Sequence, residues 1–267
     1  MLLKKASVIY LVIILFLWIV TLSFVTTSVR TIPDSTNQTK LRFGKNNDEP
    51  VAIVVGLPKS GTTSIYQYFV CNDYRTTHYC CCGSDSSEYP CKNGRQMSEQ
   101  LYDNLMAGRP LLQALGVFPT TTSKGVVHAQ LDGELFHNKK EPYFVPQHYY
   151  LDELHSAAPH ATWILPLRSA EGWKQSVERW LDMGDRLRQS YEYHYPNLIK
   201  EEWNLVDFYQ QHTDAIRRAC KRYGRKCVEV PVTDTAGTVL EKAFPGTKAS
   251  CWGRHNAGPF FQTIPNP

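Results

Sequence analysis

Five apolar residues, Val51-Ala52-Ile53-Val54-Val55, run without a break into Gly56-Leu57-Pro58-Lys59-Ser60-Gly61-Thr62-Thr63, and this junction limits what the chain can become. A short β-branched run with no polar alternation reads as a strand buried on both faces, the kind found inside a parallel sheet. The stretch that follows, to about residue 70, reads as a helix. Strand, glycine-containing turn and helix together form the geometry in which backbone N–H groups at a helix start, aided by the helix dipole, meet an anion. Gly56 and Gly61 supply backbone freedom at the turn, and Lys59 supplies charge.

The same alternation continues. Strands are expected at 75–79, 125–131, 161–167 and 226–230, and helices at 98–107, 146–157, 170–181 and 203–223. Residues 80–96 read as a loop, and 183–196 show no clean period and stay unassigned. Short apolar runs alternating with amphipathic stretches give an α/β fold, with a central parallel sheet flanked by helices in three layers. A chain of 267 residues has room for one such domain after its N-terminal segment.

That segment carries Lys4 and Lys5 and then, over residues 8–25, no charge at all. At the helical rise it spans roughly 27 Å, close to a bilayer core, and it is longer than a cleavable signal's apolar region. The expected organisation is a cytoplasmic tail at 1–7, a single transmembrane signal anchor at 8–27, a lumenal stem at 28–49 and a catalytic domain at 50–267. The stem carries Asn37-Gln38-Thr39, an acceptor tripeptide for N-glycosylation. Eight cysteines fit an oxidising lumen better than the cytosol. Cys220 and Cys227 are the first candidate disulfide pair. A zinc site at His78, Cys80, Cys82 and Cys91 lacks the paired C-x2-C spacing of structural zinc. The net charge of +4 is far from that of a dedicated nucleic-acid binder, so an anionic ligand needs a local site.

Gly56 and Gly61 have the spacing of the nucleotide triphosphatase loop, where Lys follows the second Gly directly. Here Lys59 precedes Gly61, which shifts the cation along the phosphate chain and argues against an ordinary kinase. Pro58 to Thr63 instead resembles the 5'-phosphosulfate loop of the P-loop sulfotransferases. A second element agrees: in that family a strand ends in Arg, and a Ser eight residues on joins it on the donor's 3'-phosphate. Residues 161–167 end in Arg168, and Ser176 lies eight residues further. A guanidinium fork and a hydroxyl so placed can converge on one phosphate. Near the C-terminus, residues 248–256 are similar to the basic loop of lumenal members that closes over the donor, which suggests Arg254 and Lys248. Three features depart from the pattern. Arg168-Ser169-Ala170 stands where many relatives carry Arg-Asn-Pro, Ser64 stands where cytosolic members carry Trp, and Pro166 removes a ladder donor from a presumed central strand.

The resemblance implies sulfuryl transfer from 3'-phosphoadenosine 5'-phosphosulfate, without a metal, to a hydroxyl or amine of a glycan or secreted protein. The enzyme would sit in a Golgi or other secretory-pathway membrane as a single-pass type II protein. Lys59, Ser60, Gly61, Thr62, Thr63, Ser64, Arg168, Ser176 and Arg254 would hold the donor, with Lys59 stabilising the leaving oxygen. The base stays open between His78, at the end of the second strand, and Asp132, after the third. His128 is a further histidine whose side chain has either face of a strand available. The Tyr191, Tyr193, His194, Tyr195 cluster reads as packing, and the basic run Arg217 to Lys226 as a solvated helix end. A P-loop kinase, or a fold member that binds an anion without turnover, are the competing readings.

Overall fold

The computed structural model describes residues 49–79, 96–113, 115, 123–135, 141, 143–197 and 203–253. The expected anchor, the stem with its sequon, four of the cysteines (Cys80, Cys81, Cys82, Cys91) and Arg254 lie outside the described residues. Among the described residues no helix is long and apolar enough to cross a membrane.

The elements are β1 (Ala52–Val54), α1 (Thr62–Cys71), β2 (Arg75–Thr77), α2 (Met97–Met106), β3 (Val126–His128), β4 (Gly133–Glu134), β5 (Tyr143–Phe144), α3 (Pro146–Tyr149) and α4 (Leu151–Ala157). They continue with β6 (Thr162–Leu167), α5 (Ala170–Glu178), α6 (Met183–His194), α7 (Leu205–Arg222), β7 (Cys227–Pro231) and α8 (Ala236–Ala243), followed by a 3-10 turn at Ala249–Cys251. Five strands form a parallel sheet in the order β2-β3-β1-β6-β7, and β4 and β5 pair as a small antiparallel ribbon.

Strand alternation assigns the two faces of the sheet. Ala52, Val54 and Ile164 pack with Ile65 and Phe69 of α1 and with Leu240 of α8. Ile53, Val55, Trp163 and Leu165 pack on the other face with Leu101 of α2, Leu154 of α4 and Ile216 of α7. With both faces covered, the strands have no use for polar positions, and hence the unbroken apolar run in β1. A third cluster, including Leu57, Trp173, Leu187 and Phe208, holds α5, α6 and the start of α7 beside the loop that follows β1.

The strands and helices expected from residue 51 onward are present, with shifts at their ends, and the loop expected at 80–96 lies, but for its last residue, outside the described residues. The helix expected over 146–157 is two, because Tyr150 leaves helical geometry at φ −130°, ψ 48°. Residues 183–196 do form a helix, α6, which buries only Met183, Leu187 and Ser190, too narrow a stripe to give a clear period. The segment after β7 adds α8, which sequence reading left out. Cys220–Cys227 is a disulfide, as expected, and Cys71–Cys251 ties the end of α1 to the C-terminal turn.

Pro166 is accommodated for a specific reason. In the ladder between β1 and β6, Thr162 N donates to Val51 O and Val55 N donates to Ile164 O. Continuing that parity would bring the residue-166 N–H to Val55 O, and proline has none. The ladder therefore ends there, and β6 goes on paired only with β7, where Pro166 lies opposite Val230. From β1 the chain crosses toward β2, and from β6 it crosses the other way toward β7. A crevice thus opens at the carboxyl ends of β1 and β6, the place where open parallel sheets bind ligands.

Candidate active site

The loop from Val55 to Gly61 lines this crevice, and its carbonyls are tied to the scaffold one after another. Val55 O, left free by Pro166, accepts from His212 Nε2 at 2.8 Å. Gly56 O accepts from Gln147 Nε2 at 3.1 Å, and Leu57 O from the hydroxyl of Ser60 at 2.6 Å. Pro58 O accepts from Trp173 Nε1 at 2.8 Å, and Lys59 O from Arg168 Nη1 at 2.9 Å. In a planar trans peptide the next residue's N–H points opposite to the carbonyl, so this pattern turns the N–H groups of Leu57 and Lys59 away from the scaffold. Gly61 then opens α1, with Ile65 N donating to its carbonyl, and α1 has neither a capping side chain nor an acidic residue in its first turn. The helix start is left for an external anion.

Both glycines are required. A Cβ on Gly56 would lie 2.4 Å from Pro166 Cγ and 2.5 Å from Ser60 Oγ. Gly61 has φ +114°, and a Cβ there would lie 2.8 Å from Val232 Cγ2. Lys59 itself has φ 66°, a left-handed conformation seldom held without compensation and enriched at functional sites.

Charge accumulates in the crevice. The Lys59 ammonium lies 3.4 Å above the Trp180 ring. Burial, and then the neighbouring Arg168 guanidinium, lower its pKa to about 8. Burial likewise lowers Arg168. Among the described residues no carboxylate pairs with either cation. Two adjacent cations at a helix start call for a ligand with several negative charges.

Helix α5 faces the loop along one stripe. Trp173 bonds Pro58 O, Trp180, two residues past the helix end, lies under Lys59, and Ser176, one turn after Trp173, is half-exposed. Ser169 caps α5 by accepting from Gly172 N at 3.1 Å. Ser60 and Ser64 are buried, and the Ser60 hydroxyl braces the loop from within.

His78 follows β2 and reaches the start of α1, with Nε2 at 3.2 Å from Thr63 Oγ1 and 3.4 Å from Thr62 Oγ1. Burial, and then Lys59, lower its pKa to about 4, so the imidazole is neutral near pH 7. His128 points elsewhere: it is buried, and its Nδ1 pairs with Thr77 Oγ1 at 2.9 Å. Asp132 is 3% exposed, and its oxygens accept from Gln147 Nε2 and Tyr143 OH, each at 2.7 Å. A carboxylate so enclosed suits bracing better than taking a proton from an acceptor. Lys248, exposed, is held through its backbone by Asn72, whose Oδ1 accepts from Lys248 N at 2.7 Å.

Sequence reading missed Gln147, Trp173, Trp180, Tyr209 and His212. Tyr209 OH accepts from Arg168 N at 2.9 Å and so fixes the end of β6. All five act on the loop or on Arg168 from distant elements, and no local spacing marks them.

Fold and loop together define an α/β protein of the phosphate-loop class, with a candidate anion site at the switch point of its sheet. A family model for a sulfotransferase domain matches residues 52–237, more than half of the chain, and the chain belongs to the sulfotransferase family. It is accordingly a sulfotransferase enzyme. No curated protein matched the chain.

Proposed function

We propose that the enzyme takes its sulfuryl group from 3'-phosphoadenosine 5'-phosphosulfate and transfers it to a hydroxyl or amine of a glycan or secreted protein, on the lumenal side of a secretory-pathway membrane. The observation that carries the donor assignment is the juxtaposition of Lys59 and Arg168, without a carboxylate counterion among the described residues, over the uncapped start of α1. Such a site fits a nucleotide bearing a phosphosulfate and a separate phosphate. Lys59 and the amides of Gly61, Thr62 and Thr63 would hold the 5' side. Arg168 and Ser176 would hold the 3'-phosphate, with Arg254 as a further donor ligand. The lumenal assignment rests on the apolar 8–25 segment and the cysteine content, and the glycan acceptor on the compartment they imply.

The donor, when bound, presents an electrophilic sulfur. The acceptor's oxygen or nitrogen forms a bond to that sulfur as the bond from sulfur to the phosphate oxygen breaks. His78 Nε2 takes the acceptor's proton, and the Lys59 ammonium stabilises the charge gathering on the departing phosphate oxygen. An anion in the loop counters the influence of Lys59 on His78 and so raises the basicity of the imidazole.

Transfer from sulfur-labelled donor to a panel of glycans tests this reading. We expect turnover by the wild type and a loss of about a hundredfold or more in kcat for His78→Ala. A well-folded wild-type chain that transfers phosphate from Mg²⁺-ATP and no sulfate would overturn it.

A further inference from the structure

A buried polar chain runs behind the phosphate loop. Gln147, in α3, spends both hydrogens of its amide nitrogen: one goes to Gly56 O at 3.1 Å and the other to Asp132 Oδ1 at 2.7 Å. Its oxygen Oε1 is buried and has no partner. An amide in which both donors are used and the acceptor is idle is oriented by what it faces, and an ionised carboxylate, which only accepts, permits one orientation. Asp132 is held in turn by Tyr143 OH on its other oxygen, with Gln130 Nε2 further off at 3.3 Å.

We propose that Asp132 and Gln147 are positioning residues for the phosphate loop, the Asp132 carboxylate fixing the Gln147 amide so that it anchors Gly56 O, and that protonating Asp132 slackens the loop and weakens anion binding. A protonated Asp132 offers an O–H to the idle Oε1. Accepting it turns the amide over, removes the donor from Gly56 O and leaves that carbonyl unpartnered. Burial raises the Asp132 pKa to about 6, against the opposing hydrogen bonds of Tyr143, Gln147 and Gln130. Among the described residues that face it only Tyr143 titrates, and burial followed by the Asp132 charge pushes that phenol well above its ordinary value, so it stays a donor throughout. The switch therefore operates at mildly acidic pH. The effect on binding rests on the donor reading above, whereas the effect on the loop does not.

The test uses the full-length chain, titrated with adenosine 3',5'-bisphosphate between about pH 5 and about pH 8, beside amide hydrogen exchange of residues 56–63 without ligand. For the wild type we expect loop protection to fall as pH drops through about 6. Affinity should fall about tenfold more than the ligand's own phosphate protonation explains, the scale of one hydrogen bond in a charged network. Asp132→Asn, matched in shape and unable to ionise, should show the weakened values with no such step. Tyr143→Phe removes a bond that favours the carboxylate and should move the midpoint to higher pH, which a merely structural role would not do. Identical profiles for wild type and Asp132→Asn, or loop protection that ignores pH, would overturn the proposal. A chain that binds no bisphosphate at any pH refutes the donor reading, and the loop-protection profile then still decides the brace.

Discussion

Replacing Trp173 by Phe separates the loop's anchoring from the packing around it. Trp173 is fully buried, its ring stacks on Tyr209 at 5.1 Å, and its only polar atom donates to Pro58 O at 2.8 Å. Phe keeps most of the stack but leaves the Pro58 carbonyl buried and unpaired, at a cost of about 1–3 kcal/mol, with about 1 kcal/mol more for the missing ring volume. Trp163 supplies the control: it is equally buried, yet its Nε1 has no hydrogen-bond partner, so Trp163→Phe loses packing and part of the cation–π contact with Arg225, 4.5 Å from the ring, but no hydrogen bond. Urea unfolding of both variants should therefore show Trp173→Phe less stable than Trp163→Phe by about 1–2 kcal/mol. Trp173→Phe alone should also weaken bisphosphate binding, by about tenfold for each 1.4 kcal/mol of loop order lost. Equal stability losses, with binding unchanged in both, would refute the claim that the indole N–H holds the loop.

Two further outcomes follow from the site. Gly61→Ala, forced into a positive φ and against Val232, should cost about 2 kcal/mol or more and abolish sulfate transfer, as unfolding midpoints and turnover would show. Acid should destabilise the fold through His128 and His212, whose burial lowers their pKa values to about 4. Between the ordinary histidine range and that value the unfolded chain binds more protons, so stability falls as pH falls, by up to about 3 kcal/mol per histidine. Asp132, raised to about 6, works in the opposite sense and offsets one of the two. Urea midpoints at about pH 7 and about pH 5 should differ, and His212→Gln should reduce the difference.

The sequence was most informative where function and local geometry coincide. Residues 51–70 announce strand, loop and helix because an apolar run, two glycines and a lysine each answer a local backbone demand. Arg168 and Ser176 were marked through family spacing, and the structure brings the Arg168 guanidinium to the loop at Lys59 O. Pro166 looked like a defect in a central strand, although it is what ends the ladder with β1 and releases Val55 O to His212. That compensation spans 157 positions of sequence and leaves no local trace. Asp132 is marked by the sequence as a candidate base, but its partners Tyr143 and Gln147 are set by the turn into the β4–β5 ribbon, which a two-residue strand pair hardly signals.

The central claim is that Lys59 and Arg168 jointly form the donor site, and calorimetric titration of the full-length chain with adenosine 3',5'-bisphosphate tests it most directly. Binding in the range of about 1 μM, weakened at least about tenfold by Lys59→Ala and by Arg168→Ala, is the predicted result. Binding that neither substitution changes, or none by a folded wild-type chain, would contradict it.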